Sequence, residues 1–412
     1  MIMTNIFSQG IEVDGIYYIF SETTAEVTQH PSSGYAGDIV IPSVVAYNGF
    51  IFDVISIGSD AFYFCLSLTS ITIPKKVTNI KGNVFIGCTA LTSINVESEN
   101  PNYFSENGIL FNKNKTKLIS YPAGKMEYHY SVPSSVTTMG SNAFTCSRFS
   151  TIDIPNSVTN IEGAAFFGCW GLTSITIPNN ITTIAFSTFM YCYKLTSVII
   201  PSSVTKIENN AFYDCQNLTS IDIPESVTTI GEFAFFNCKG LTSVKIPDGI
   251  KSIKPATFSG CTNLATVVIP SSVSSIVWYA FSGCTSLTSL TNLNPIPFFI
   301  DTDVFEWMDQ SACTLYVPVG SCSAYKNADV WKEFNVVEIG SAIEPVEIES
   351  FKIFPNPTTG KVYIETESNI KVFNLQGELL KETSGNQVDL SDYPQGVYLL
   401  QVNGRWSKVA RQ

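Results

Sequence analysis

The stretch "LTSIDIPESVTTIGEFAFFNCKGLTSVKIP", residues 218–247, contains one complete repeat unit and the start of the next. Its leucine and two isoleucines nearly alternate, which is typical of a short strand. Pro224 ends that strand, because proline has no N–H for a sheet hydrogen bond. The residues that follow turn back through Gly231 and place an Ala-Phe pair before Cys238. The stretch therefore predicts one coil, made of a short strand and an irregular or 3₁₀ turn.

The unit recurs along most of the chain with a period of 23 residues. Isoleucine-proline pairs recur at this spacing at Pro155, Pro178, Pro201, Pro224, Pro247 and Pro270. Nine of the eleven cysteines are predicted to share one repeat position: Cys65, Cys88, Cys146, Cys169, Cys192, Cys215, Cys238, Cys261 and Cys284. The longer gap between Cys88 and Cys146 indicates a coil without cysteine and with an insertion at about 98–131. Such a period means stacked units.

A single 23-residue coil buries too few side chains to offset its conformational entropy, so the coils must stack on one another. We therefore predict a solenoid with a short parallel β-sheet on one face and irregular or 3₁₀ turns on the other. Residues 1–40 are assigned to a β-rich N-terminal cap, 41–293 to the solenoid, and 294–340 to a C-terminal cap.

The recurring cysteines are predicted to form an internal column of free thiols. Counterparts in successive coils lie about 4.8 Å apart with parallel Cβ vectors, whereas a disulfide needs Cβ atoms about 3.8 Å apart and turned toward each other. The thiols then pack as small apolar groups under an aromatic column, made of Phe166, Phe189, Phe212, Phe235 and Phe258. No C-x-x-C pair is present to suggest zinc. Cys313 and Cys322 lie outside the period, where a disulfide and two free thiols both remain open.

Composition limits the possible functions. The net charge is -12, and only 14% of residues are charged against 45% hydrophobic. This balance argues against nucleic acid and anionic membranes as partners. There is no apolar run long enough for a transmembrane helix, and "MIMTNIFSQG" shows no signal peptide.

Nothing in the sequence supports an enzyme. His30 and His129 stand without a partner motif, and no nucleophile elbow, P-loop or zinc-protease motif is present. Carboxylates such as Asp153 and Asp222 are better explained as a solvated acidic face than as a glycosidase pair. We therefore expect no catalytic residue, no metal and no cofactor.

The residue between the two strand isoleucines should point away from the core. Its chemistry changes from coil to coil, as a specific binding surface would require, although drift at unconstrained exposed sites gives the same pattern. The candidate ligand-binding residues in this column are Asn95, Asp153, Thr176, Ile199, Asp222, Lys245 and Val268. The aromatic-rich insertion is a second candidate surface, but its rings are expected to pack on the neighbouring coil.

The unit L-x-x-I-x-I-P-x-x-V-x-x-I-x-x-x-A-F-x-x-C resembles the BspA-like, or Treponema-type, leucine-rich repeat family. The resemblance covers about 41–293, and "CTLYVPVGSCSAYKNADVWKEFNVVEIG", residues 313–340, is similar to the closing cap of such arrays. It implies a right-handed leucine-rich-repeat solenoid. It also implies an exported bacterial surface protein that binds a protein, or a glycan, of host or microbial origin.

The 23-residue period stops before residues 351–412, which read instead as short alternating strands separated by turns. Segments such as "IKVFNLQGELL" and "VDLSDYPQGVYLLQV" predict a small antiparallel β-sandwich. This part resembles the C-terminal sorting domain of the type IX secretion system, on the residues Pro355, Asn356, Pro357, Gly360, Gly396, Tyr398, Lys408 and Arg411. Ala410 departs from the bulkier aliphatic usual there. The resemblance implies export across a Bacteroidota outer membrane by the type IX machinery, with cleavage in the linker 341–350.

Two functions remain open at this point. One is a secreted, surface-attached adhesin whose partner contacts the outward strand face, and the other is a structural spacer without a specific ligand. Substitution of the outward residues separates them, because only an adhesin would lose a partner.

Overall fold

The computed structural model describes residues 10–32, 34–339, 353–354, 358, 360–374, 379–402 and 405–411. It divides into two compact units, 1–338 and 339–412. The linker 341–350 and the predicted sorting residues Pro355, Asn356 and Pro357 lie outside the described residues.

The first unit begins with a mainly antiparallel sheet whose strands run in the order first, second, third, fifth, fourth. These strands are Ile11–Val13, Ile16–Ser21, Thr24–Val27, Val44–Tyr47 and Phe50–Ile57. Strand Ala36–Val40 pairs in parallel with Ser67–Ile73, so the solenoid sheet already starts within the stretch that the sequence assigned to the cap. The cap and the first coils are thus interleaved.

Two parallel ladders then run along the solenoid. The front ladder has one strand in most coils: Ala36–Val40, Ser67–Ile73, Ser93–Val96, His129–Ser131, Thr151–Asp153, Ser174–Thr176, Ser197–Ile199, Ser243–Lys245, Thr266–Ile269, Ser289–Asn292, Thr314–Val317 and Asn335–Glu338. The side ladder has strands of two residues: Asn79–Ile80, Thr138–Met139, Asn160–Ile161, Thr183–Ile184, Lys206–Ile207, Thr229–Ile230, Ser252–Ile253 and Ser275–Ile276. The predicted stacking of coils is confirmed, since most paired strands are 23 residues apart.

The remaining side of each coil, called the turn face here, is built from irregular turns. Two residues per coil have positive φ, such as Asn210 at 57° and Asp214 at 59°. Backbone N–H groups of the turn donate to carbonyls of the next coil, as from Phe212 to Ala234 at 2.8 Å. The described helices lie nearer the C-terminal end of this unit: the 3₁₀ helices Thr302–Phe305, Gln310–Ala312 and Trp331–Glu333 and the α-helix Cys322–Lys326.

A column of phenylalanine rings fills the interior beside the turn face. The rings Phe144, Phe166, Phe189, Phe212, Phe235, Phe258, Phe281 and Phe305 stack with centroids 5.1–5.7 Å apart. Neighbouring planes differ by at most 13°, and all eight rings are buried. The aromatic column predicted from the period is therefore present, and it extends beyond the five rings named from the sequence.

The cysteine column runs beside these rings. Seven thiols donate to the carbonyl of a phenylalanine in the preceding coil at 2.9–3.2 Å. All eleven cysteines are free, including Cys313 and Cys322. Burial raises the pKa of Cys88 and of Cys261 to about 12. A thiol with a raised pKa is a poor nucleophile, because the thiolate is the reactive form.

The prediction that Cys146 shares the column is wrong. The N–H of Ser147 bonds to the carbonyl of Phe144, as the N–H of Cys169 bonds to that of Phe166. Ser147 therefore occupies the column position, and Cys146 takes the preceding position with φ of 61°. The reason is that this coil is one residue short, since its phenylalanines are 22 residues apart rather than 23. Ser147 Oγ is buried without a hydrogen-bond partner in the described part of the chain.

Thiol labelling tests this arrangement. We expect the eight column cysteines to react with a thiol reagent only after denaturant is added, because they are 1% exposed or less. Cys322, which is half-buried at the start of its helix, should react first in the folded protein. Mass spectrometry of the labelled peptides gives the order, and rapid labelling of Cys215 in native buffer would contradict the column.

The insertion divides the interior. Strands Tyr103–Glu106, Ile109–Asn112 and Lys117–Ser120 form an antiparallel meander, and the last strand leads into the side ladder. The buried core before the insertion ends with Leu110, whereas the core after it includes Ile109 and Phe111. Alternate side chains of one strand thus belong to two different cores.

The second unit is a small antiparallel β domain. Its strands are Ile353–Phe354, Lys361–Phe373, Leu379–Asp389, Gly396–Val402 and Arg405–Arg411. The long strand Lys361–Phe373 pairs with Ile353–Phe354, with Leu379–Asp389 and with Gly396–Val402. Its pairing with Leu379–Asp389 is interrupted by a bulge between Tyr363 and Ser368. The five strands are joined by hydrogen bonds into one sheet around an apolar core that includes Val362, Ile370 and Leu400.

Candidate functional site: the outward face of the front ladder

The outward column follows the front ladder, because successive side chains of a strand point to opposite faces. Asn95, Asp153, Thr176, Ile199, Asp222 and Lys245 are exposed, and Val268 is half-buried. Thr176 lies directly beside Ile199, and Lys245 beside Val268, in the register of the parallel pairs. Ile199 is 63% exposed, a high value for a large apolar side chain in a strand.

The structure does not place all seven candidates on one unbroken sheet. The insertion separates Asn95 from Asp153, and Ser131 is the residue that pairs with Asp153. Asp222 lies in residues 218–224, which form no ladder strand among the described residues. The candidates after the insertion therefore form a row, and Asn95 lies on the other side of the insertion.

Threonines just before several of the front strands help to join the coils. The hydroxyl of Thr196 donates to the carbonyl of Thr173 at 3.0 Å, and Thr173 donates to Ser150 at 3.1 Å. Because these hydroxyls donate to backbone carbonyls, the threonine that recurs in the L-T-S triplet of most coils has a structural role. The variable outward column remains the part of this face available to a partner.

Lys245 is paired within its own surface. Its Nζ lies 2.7 Å from Glu225 Oε1, and Glu225 Oε2 accepts the N–H of Asp248 at 3.1 Å. The hydrogen bond from Lys245 lowers the pKa of Glu225, and the same bond raises the pKa of Lys245. Both side chains are more than half exposed, so the pair adds little to stability. Its effect is to fix the position of the ammonium group.

His129 belongs to a polar cluster that sequence reasoning missed. Its Nδ1 is 2.9 Å from Thr151 Oγ1, and its Nε2 is 3.1 Å from Ser131 Oγ and 3.2 Å from Asp153 Oδ2. The parallel pairing of His129–Ser131 with Thr151–Asp153 brings these four residues together. Knowing that register would have been necessary to find the cluster from the sequence.

This cluster lacks the geometry of a catalytic triad. In a triad the carboxylate orients one ring nitrogen and the serine contacts the other. Here Asp153 and Ser131 both contact Nε2, and the Asp153 side chain is 76% exposed. The cluster is therefore a polar surface patch. An open cleft of about 230 Å³ adjoins it, lined by residues that include Asp153, Asn156, Thr176 and Asn179.

Most rings of the insertion pack inward, as expected. Phe111 and Tyr121 are buried, and Tyr130 is 9% exposed. Tyr121 stands beside Phe144, with ring centroids 5.7 Å apart. Tyr128 and Phe104 are the exceptions, at 84% and 36% exposed. No group of three or more His, Cys, Asp or Glu side chains in the described part of the chain could hold a metal ion.

Comparison with known families identifies the repeats. The model of the BspA type leucine rich repeat region matches in six copies, over residues 55–196, 126–218 and 182–310. The chain belongs to the BspA-type leucine-rich repeat family. This family consists of repeat proteins with structural or binding roles.

The tail of this BspA-type protein matches a second family, the secretion system C-terminal sorting domain, over residues 352–412. That match implies secretion by the type IX machinery to the cell surface. Among the predicted sorting residues, Arg411 donates to the carbonyl of Ser391 at 2.8 Å, and the hydroxyl of Tyr398 donates to that of Pro394. Gly396 and Lys408 lie on the last two strands, which pair with each other, and Gly360 precedes the first long strand.

Solved structures similar to the chain are bacterial leucine-rich repeat proteins. One from Eubacterium ventriosum is 28% identical with a TM-score of 0.48, covering 65% of this chain and 68% of that chain. One from Bacteroides ovatus is 24% identical with a TM-score of 0.48, covering 74% and 76%. A leucine rich cell surface protein from Faecalibacterium prausnitzii is 25% identical with a TM-score of 0.39, covering 82% and 96%. No curated protein matches the chain.

Among the described residues, no helix is both long and apolar enough to cross a membrane.

Proposed function

We propose that this BspA-type protein is a surface adhesin that binds a protein of a host or microbial surface through the front ladder. The observation that carries the proposal is the contrast within each strand. Inward residues such as Ile175 and Val198 are buried aliphatics, whereas the outward residues beside them change from coil to coil. A surface that keeps its backbone spacing and varies its side chains is suited to recognise one extended partner.

The chemistry of the row favours a protein partner. Asp153, Thr176, Ile199 and Asp222 place an exposed aliphatic side chain between two carboxylates. An apolar centre with a polar rim is the usual anatomy of a protein interface. The two carboxylates favour a partner with basic side chains, because opposite charges speed association and exclude wrong partners. Thr72 and Thr291, which occupy the same strand position in coils outside this row, are half-buried and contribute less.

A binding screen with the full chain tests the proposal. Immobilised matrix proteins, mucins and bacterial surface preparations would be probed by surface plasmon resonance, with the triple variant Asp153→Ala, Ile199→Ser and Asp222→Ala in parallel. We expect a saturable partner whose affinity falls at least about tenfold in the variant, because interface energy concentrates in a few central residues.

Two controls make the result decisive. Lys251→Ala changes an exposed charge outside the outward column and should leave binding unchanged. Circular dichroism should show that the triple variant stays folded, because all three side chains are exposed. If no partner binds the folded wild-type chain, the spacer function replaces the adhesin.

A further inference from the structure

A continuous aromatic band lies on the turn face, away from the front ladder. We call this set of contacting rings the aromatic band: Phe167, Tyr191, Tyr213, Phe236, Phe233 and Trp278. Consecutive centroids are 5.4, 5.6, 4.7, 5.9 and 5.9 Å apart. The first five rings are half-buried, and Trp278 is 39% exposed. The band is separate from the fully buried phenylalanine column.

The repeat does not require aromatic residues at these positions. Tyr213 and Phe236 belong to a row that continues, 23 residues apart, with Ser259 and Ser282. Tyr191 occupies the position that is Gly168, Gly260 and Gly283 in other coils. Other coils of the repeat thus fold with serine or glycine at these positions. The aromatic residues of the band are therefore not needed for the coil to fold.

Some of the rings are also held in a strained backbone. Tyr191 has φ of 62° and Phe233 has φ of 54°. Bulky residues rarely adopt this conformation, and glycine does so at no cost. Glycine would adopt this backbone conformation without strain. A strained residue kept in such a position is a reason to look for function at that site.

Polar groups adjoin the rings. Asp214 is 8% exposed, and its Oδ1 accepts the amide groups of Asn237 at 2.6 Å and of Gln216 at 3.1 Å. Burial and the Asp214 carboxylate raise the pKa of Tyr193, a residue that is 37% exposed. Tyr191 and Tyr193 are in ring contact at 5.9 Å. Aromatic rings beside carboxylate, amide and hydroxyl groups therefore share one strip of surface.

We propose that the aromatic band binds an unbranched, uncharged glycan chain. A pyranose ring has an apolar C–H face, which packs on aromatic rings, and hydroxyls at its edge, which bond to planar polar groups. Successive coils repeat at the strand spacing of about 4.8 Å, so the band offers ring after ring along one direction, as a linear polymer requires. The Asp214 carboxylate disfavours an acidic glycan. A coil along the band contributes at most two rings, and the coil of Phe258 contributes none, which makes the strip too narrow for a protein interface of about 800 Å² per partner.

Isothermal titration of the full chain tests the site, with hexasaccharides of β-glucose, β-xylose, β-mannose and N-acetylglucosamine as probes. The variant Tyr191→Gly with Tyr213→Ser places in this coil the residues that other coils already have. We expect at least one hexasaccharide to bind, and the variant to bind it at least about tenfold more weakly after loss of two rings. Thermal unfolding should be unchanged or shifted upward, because glycine relieves the positive φ.

Three outcomes would overturn the inference: no hexasaccharide binds the wild-type chain, the variant keeps the wild-type affinity, or a proline-rich peptide binds the band while the sugars do not. Such peptides are the other ligands that aromatic-lined surfaces take. Asp222→Ala in the outward column serves as the matched control and should leave glycan binding unchanged. The two proposals, glycan binding by the aromatic band and protein binding by the front ladder, can therefore be disproved separately.

Discussion

Replacing Phe212 by alanine should lower the free energy of unfolding by about 3–5 kcal/mol. The ring is fully buried and stacks between Phe189 and Phe235 at 5.3 Å on both sides. Its loss leaves a cavity that the neighbouring coils cannot close, because their own rings are fixed by the same column. Urea unfolding followed by circular dichroism measures the change.

Phe186→Ala is the matched control for this prediction. That ring belongs to an adjacent part of the repeat but is 54% exposed, so its removal should cost less than about 1 kcal/mol. If Phe212→Ala costs no more than Phe186→Ala, the ring is not held in a close-packed column.

The second large effect concerns Asn100, which precedes the first strand of the hairpin insertion. Its buried amide donates to the carbonyls of Pro74 and Val77 at 2.9 Å, and its Oδ1 accepts the N–H groups of Asn102 and Tyr103. Asn100→Ala leaves two carbonyls of buried residues without this partner. We expect a loss of about 3 kcal/mol, since each buried polar group left unpaired costs about 1–3 kcal/mol.

Asn102→Ala is the control here. The Asn102 side chain also donates to a carbonyl, that of Thr78 at 2.7 Å, but both residues are exposed. Water can replace that bond, so we expect a loss of about 1 kcal/mol or less. Equal losses for the two variants in urea unfolding would show that Asn100 does not anchor the insertion.

Features that recur once per coil could be predicted from the sequence. The period places Phe212 above Phe189 and keeps Ile221 inside, because a solenoid repeats its environment at every turn. It also predicts that Asp153 and Thr176 face outward, since alternation along a strand is a local property. These features depend only on spacing and on strand geometry.

Features that depend on the register between coils could not be predicted. Cys146 keeps the sequence period, but the short coil moves it one position away from the column. The cluster of His129 with Asp153 arises only when two strands 22 residues apart are aligned. The pairing of Lys245 with Glu225 depends on side-chain conformations. The aromatic band was missed because its rings alternate between neighbouring rows, so no single period contains them.

The divided interior has a mechanical consequence. In a stacked array each coil is stabilised mainly by its neighbours, and at strand Ile109–Asn112 the two neighbours belong to different cores. We therefore expect the junction to be the least stable part of the array. Under a pulling force along the array, we expect the protein to extend first at the insertion. The coils on either side, with their outward faces, would stay folded while the load is absorbed there.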